Sequence, residues 1–250
     1  MKLFKRFFPL FAVLFLICPQ AARAAEYPFT AGEKIRFQIK VFNIHVGFQE
    51  MTFMGEKTLN GKRVLHAVAD TKSLDSIKTT FKYSLHDVNE VWMDPVTLLP
   101  VRVTRDIQEG TWTDKITIDI DQAQKTSRYS DKRVQNAEIP LRGPTLDLLS
   151  LVYYVRAQKV KPGDVINADY IVDNKKGVSE TKIIVRQGAP LTISGKKVPT
   201  LLFEQEGGER VKVLMTDDER RIPVSISVGT FNVFGYTIDI VGSLVDISRP

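Results

Sequence analysis

The sequence predicts a mainly β protein: a β-rich α+β fold in which a curved antiparallel sheet or open barrel, made of two related halves, surrounds one buried helix. Three observations carry this expectation. Apolar residues alternate with polar ones along about a dozen short runs. Turn-forming residues separate successive runs, which reads as hairpin succession and so as an antiparallel sheet. One stretch alone has a strong helical period, and a helix on an antiparallel sheet is an α+β arrangement.

Taken in order, the chain begins with an export signal. Lys2, Lys5 and Arg6 precede an apolar stretch from Phe7 to Cys18, and Ala22-Arg23-Ala24 has the form of a cleavage site. The stretch is shorter than the roughly 20 residues that cross a bilayer, and it ends at Pro19-Gln20. Leu16-Ile17 precedes Cys18, where a lipoprotein signal has a small residue. Residues 1–24 are therefore read as a signal peptide and residues 25–250 as a single β-rich domain of a bacterial periplasm. The cleaved chain has no cysteine, which removes disulfides, thiolate nucleophiles and Cys-ligated zinc together. Its net charge of +6 owes four bases to the first 24 residues, and no basic stripe interleaves with aromatics afterwards. Nucleic acid is not an expected partner. No second apolar run is long enough to span a membrane.

In Lys34–Phe42, Ile35, Phe37, Ile39 and Val41 share one face against Lys34, Arg36, Gln38 and Lys40. Gly47–Gly55 and Arg63–Thr71 follow as strands, with Asn60-Gly61 as a tight hairpin turn. A weaker helix is expected at Leu74–Phe81. Leu85–Trp92 and Val101–Gln108 flank an Asp94-Pro95 turn, and Trp112–Asp121 places Ile116, Ile118 and Ile120 on one face. Gln124–Ser130 completes the first set of strands. Thr145–Gln158 then breaks the period. Leu148, Leu151, Val152 and Val155 form a helical stripe, Thr145 or Asp147 can cap it, and Lys161-Pro162-Gly163 ends it. Strands are expected again at Val165–Asp173, Val178–Gln187, Val198–Glu206, Val211–Thr216, Val224–Val228 and Phe234–Ile247.

Two segments share a layout. Ala31-Gly32-Glu33, Asn60-Gly61-Lys62 and an Asp-containing turn before Pro100-Val101 reappear, in the same order, as Pro162-Gly163-Asp164, Ser194-Gly195-Lys196 and an Asp-rich turn before Pro223-Val224. This suggests half-units of about 28–130 and 159–250, joined through the helix.

Ala31-Gly32-Glu33, the helix residues Asp147, Ser150, Tyr153 and Arg156, and the run Asp217–Val224 resemble an exported bacterial family known as domain of unknown function 3108. The family name implies no activity. The hairpin Trp92–Val101 is also similar to one in periplasmic lipoprotein carriers and anti-sigma-factor regulators. That likeness implies an incomplete, strongly curved barrel around helices, with an apolar concave face that takes acyl chains.

Motifs for chemistry are sparse. His45, His66 and His86 lie on separate strands or strand ends without metal-ligand spacing, so no metal is expected. Ser179 with Lys182, and Ser194 with Lys197, have a nucleophile spacing but sit on a strand or turn, where that chemistry wants a helix start. Asp119 with Asp121, and Asp217-Asp218-Glu219, read as solvated hairpin carboxylates. Asp147, Ser150, Tyr153 and Arg156 wind around the helix without forming one catalytic face, and are read as structural, through capping and sheet anchoring. No cofactor is expected. The functional expectation is a non-enzymatic periplasmic cell-envelope protein that binds a hydrophobic, lipid-like ligand or a protein partner. Phe37, Ile39, Trp92 and Trp112 are the candidate ligand-binding residues. The alternatives are a hydrolase of envelope polymers, using acids the sequence does not single out, and a structural scaffold acting through its sheet edges.

Overall fold

Fifteen strands form one sheet in the computed structural model, which describes residues 27–171, 177–193, 195–206, 211–233 and 236–250. The export-signal reading lies outside the described residues. The first strands are β1 (Lys34–Val41), β2 (Ile44–Leu59), β3 (Lys62–Ser73), β4 (Leu85–Met93), β5 (Pro100–Glu109), β6 (Trp112–Asp121), β7 (Thr126–Ser130) and β8 (Ala137–Pro140). After β9 (Thr145–Leu146) come β10 (Val165–Ile171), β11 (Val178–Ile193), β12 (Lys196–Glu206), β13 (Val211–Thr216), β14 (Pro223–Val233) and β15 (Tyr236–Ser248). Helix α1 is Asp75–Phe81 and α2 is Leu148–Ala157.

The chain moves outward from β1 to β8, crosses, and returns from β9 to β15, which pairs antiparallel with β1. Every neighbouring pair is antiparallel except β9 with β10. No backbone ladder closes this curved sheet between β8 and β9. The gap is bridged differently. The N–H groups of Arg142 and Gly143 donate to Asp169 Oδ2 at 3.0 and 2.7 Å. On the β6–β7 turn, Gln122 Nε2 donates to the carbonyls of Pro100 (3.1 Å) and Thr145 (2.9 Å), and Gln122 Oε1 accepts from Thr145 N–H.

The repeated landmarks of the sequence carry repeated backbone bonds. Gly32, at φ +85°, donates to Phe53 O at 2.7 Å, and Phe53 N–H returns to Glu33 O. Gly163, at φ +99°, donates to Val185 O at 2.8 Å, and Val185 N–H returns to Asp164 O. Asp94 Oδ1 accepts the N–H groups of Val96 and Thr97, and Asp218 Oδ1 accepts those of Arg220 and Arg221. Each turn is preceded by a register shift, at Trp92/Met93 and at Leu214/Met215.

Helix α2 is shorter than its sequence period. Thr145 and Leu146 pair with Asp169 and Tyr170 as β9, and Asp147, in extended conformation, takes the cap. Ser150 and Leu149 donate to its carboxylate at 3.0 and 3.1 Å, and Asp147 N–H donates to Ser150 Oγ at 2.9 Å, completing a capping box. Leu149, Leu151, Val152, Tyr153 and Val155 are buried on nearly all sides of the helix, in one core cluster with residues of both halves of the sheet. Between α2 and the second half lies a cavity of about 10 Å³ lined by Leu151, Val155, Phe203, Gln205 and Val213. That is room for about one water and not for an acyl chain. Helix α1, by contrast, has no buried residue.

Candidate functional site

Alternation fixes which side chains of β1–β6 point into the barrel, and register stacks them in layers. Ile35, Met51, Ala69, Asn89, Arg105 and Ile116 are cross-strand neighbours in one layer. The next contains Phe37, Gln49, Thr71, Asp87, Ile107 and Asp114. The outermost contains Ile39, Gly47, Leu85, Glu109 and Trp112, with Ser73 Oγ accepting from Leu85 N–H at 2.9 Å. The interior thus changes from apolar to polar toward the end where the connections 42–43, 74–84 and 110–111 lie. That end is the mouth of the barrel-like sheet.

The polar groups of the mouth are linked. Arg105 and Asp87 approach to 3.6 Å, and Gln108 N–H donates to Asp87 Oδ1 at 3.3 Å. Gln49 Nε2 donates to Thr71 Oγ1 at 2.9 Å. Tyr129 donates to Asp131 at 3.1 Å. Asn89 Oδ1 is buried and finds no hydrogen-bond donor among the described residues, an arrangement that costs free energy unless a ligand or water supplies one. Gln49, Thr71, Asn89, Arg105, Glu109 and Asp114 are nevertheless only half-buried.

Burial pushes the Asp87 carboxyl above the usual carboxylate range, against the opposing pull of Arg105 and the Gln108 N–H. Burial and then the charge of Asp87 push Glu109 up as well. Burial and hydrogen bonding to Asp131 carry Tyr129 to about 12. Asp87 therefore binds its proton more tightly folded than unfolded. The stability it contributes is greatest below the ordinary carboxyl pKa of about 4 and falls as pH rises through its raised value. Asp87→Asn is expected to gain in melting temperature relative to the unsubstituted protein as pH climbs from about 4 to about 7. A difference that stays constant across that range would contradict the assignment.

The structure separates the four ligand candidates. Phe37 lies on the inner wall and is buried, Ile39 lies one layer further out and is half-buried, and Trp112 stands at the rim, 46% exposed. Trp92 does not line the interior. Fully buried Val91 and Met93 hold the inward positions of β4, so Trp92 points outward, where it stacks on His66 at 4.7 Å. His66 in turn meets Glu90 at 2.8 Å. The other two histidines are also engaged locally, His86 with Asp70 and His45 with the Gly47 carbonyl. Among the described residues no group of three or more acids, histidines or cysteines is placed to hold a metal ion.

The helix residues converge with distant segments at the opposite end. Tyr153 packs edge-on to Phe29 at 5.0 Å and against Phe53 at 5.6 Å. Arg156 is wholly buried and bonds Glu33 Oε1 at 2.7 Å and the Arg220 carbonyl at 3.3 Å. Arg249 takes the other Glu33 oxygen at 2.6 Å. Three motifs far apart in the sequence thus meet at one buried carboxylate. The acids at the hairpins stay at the surface: Asp119 pairs with Arg102 at 2.6 Å, and Asp121 and Asp218 accept turn N–H groups.

Sequence reading passed over Asp87, Asn89, Arg105 and Glu109. Their signal was present as polar residues that continue the inward parity of Val91 and Val103 toward one strand end.

A family model described as protein of unknown function (DUF3108) matches residues 36–240. No curated protein matches the chain. Among solved structures, a beta-barrel-like protein of domain of unknown function DUF1849 from Brucella abortus is similar at a TM-score of 0.57 and 9% identity, covering 86% of this chain and 96% of that one. A DUF1089 family protein from Pseudomonas aeruginosa is similar at a TM-score of 0.44 and 10% identity, covering 72% and 89%. The first likeness is one of fold: a beta-barrel-like sheet.

Proposed function

The chain belongs to the DUF3108 family of proteins of unknown function, and from that premise we propose that it is a non-enzymatic, exported protein of the bacterial cell envelope that binds an amphipathic, lipid-like ligand at the mouth of its barrel. The observation that carries this reading is the layered inner wall. An apolar floor (Ala67, Val91, Val103, Ile118) rises through two mixed layers, in which Asn89 and Arg105 stand beside Ile35 and Met51, and Gln49, Thr71 and Asp87 beside Phe37 and Ile107, to a rim bearing Ile39, Leu85 and Trp112. Concave sites with a mostly apolar lining and a few convergent polar groups are where small ligands bind. The buried Asn89 Oδ1 and the proton-hungry carboxylates of Asp87 and Glu109 favour a head group rich in hydroxyl or amide donors. The water-sized space beside α2 is no seat for the chain of such a ligand. Periplasmic localisation rests on residues 1–24.

Delipidated protein titrated with a fluorescent fatty acid is expected to take it up saturably at micromolar concentration, about −8 kcal/mol, with a rise in melting temperature. Trp112→Ala should weaken uptake, and Trp92→Ala should not. No uptake, with an unchanged melt across several lipid classes, would leave a protein partner as the better reading. A second reading, hydrolysis of an envelope polymer, has one observation behind it: Asp87 and Glu109 share a wall and both hold protons above the usual range, as a general acid does. Cleavage of purified cell-wall polymer that is lost in Glu109→Gln would favour it.

A further inference from the structure

Nine large hydrophobic side chains are exposed among the described residues, and five of them, Phe42, Ile44, Phe81, Tyr83 and Trp112, stand on or beside three connections at the mouth. We propose that this rim docks on an anionic bilayer surface. The three connections are contiguous: Leu74 N–H donates to Val46 O at 2.8 Å, and Gly110 N–H donates to Ser84 O at 2.7 Å. Phe42 is the most informative of the five. It lies in the left-handed region at φ +51°, followed by Asn43 at φ +63°, and is 66% exposed. Such a turn favours Asn or Gly, and a bulky aromatic there is an outlier. Neither backbone preference nor burial accounts for a phenylalanine at this position, and a strained residue of that kind points to function.

The charge beside these side chains selects the surface. Lys78, Lys82, Lys132 and Arg133 are exposed on the connections 74–84 and 131–136, where Asp75 is the exposed acid. Lys40 is half-exposed, two residues before Phe42. Glu109 and Asp114 belong to the inner wall, and Asp114 accepts the N–H of Lys132 at 3.3 Å. Aromatic side chains that enter the interface, ringed by lysines that meet anionic head groups, are how a peripheral protein holds a bilayer. Docked in this way, the mouth faces the lipid. The proposal goes beyond ligand uptake, since docking needs the rim alone.

The test is flotation of the mature chain with phosphatidylcholine vesicles, with and without phosphatidylglycerol. Binding is expected to the anionic vesicles and to weaken with added salt. Lys78→Glu with Lys82→Glu should reduce it by about tenfold or more. Phe42→Asn, which suits the turn and so leaves folding intact, should also reduce it while leaving fatty-acid uptake from solution unchanged. Val96→Ser, at an exposed turn of the opposite end, should bind as the unsubstituted protein does. No flotation with anionic vesicles, or equal flotation of the rim variants, would overturn the proposal.

Discussion

Arg156→Met is expected to destabilise the protein by about 3–5 kcal/mol, because it takes from the Glu33 carboxylate its fully buried counter-charge and leaves it the part-exposed Arg249. Glu33 is 1% exposed, and the Arg156 side chain is not exposed at all. Neither can recruit water to replace the 2.7 Å contact between them. Glu33→Gln should cost a comparable amount, since it withdraws the charge shared by Arg156 and Arg249. Urea unfolding measures both. Glu33→Met combined with Arg156→Met should cost less than the two single losses together, because neither charge is then stranded. A loss within about 0.5 kcal/mol for either single variant, the range of surface substitutions, would deny the cluster its part in joining the first strand, the helix and the C-terminal segment.

Tyr153→Ala should cost about 3–5 kcal/mol, the range for removing a large aromatic side chain from a core. The residue is 1% exposed, with its ring held between Phe29 and Phe53. Burial pushes its hydroxyl well above the ordinary tyrosine value, so the phenol is neutral at neutral pH. Tyr154, the next residue, is only half-buried. Tyr154→Ala is expected to lose markedly less. Equal losses in thermal melts of the two variants would mean that α2 does not present Tyr153 to the core as described.

Alternation located most of the strands, because a sheet with one face in a core and one in solvent writes its burial directly into the sequence. It missed β8 and β9. Strand β9 has two residues, and what defines it is pairing with Asp169 and Tyr170, far along the chain. For the same reason the helix was expected to begin at Thr145. The bridging of the β8–β9 gap was not legible either, since it depends on where one glutamine, Gln122, reaches in three dimensions. Asp147, Ser150, Tyr153 and Arg156 read from the sequence as one set on the helix, but Arg249 has no local signal at all. The mouth was half legible. Alternation places Phe37 and Ile39 on one face of their strand, while Asp87, Asn89, Arg105 and Glu109 are hidden by a rule that treats polar residues as the outer face. Trp92, a candidate for stacking on a ligand in the sequence, faces outward, because its buried neighbours Val91 and Met93 take the inward positions of the strand.

Ligand binding at the mouth is tested most directly through Trp112. The chain has two tryptophans, so Trp92→Phe leaves Trp112 as the sole reporter, on the rim itself. Titration of delipidated Trp92→Phe protein with a non-fluorescent lysophospholipid should shift the Trp112 emission to shorter wavelength and saturate at micromolar ligand. Asn89→Leu in the same background should move the midpoint to higher concentration. An emission spectrum that stays unchanged up to the onset of micelles, in protein that remains folded, would contradict a binding site at the mouth.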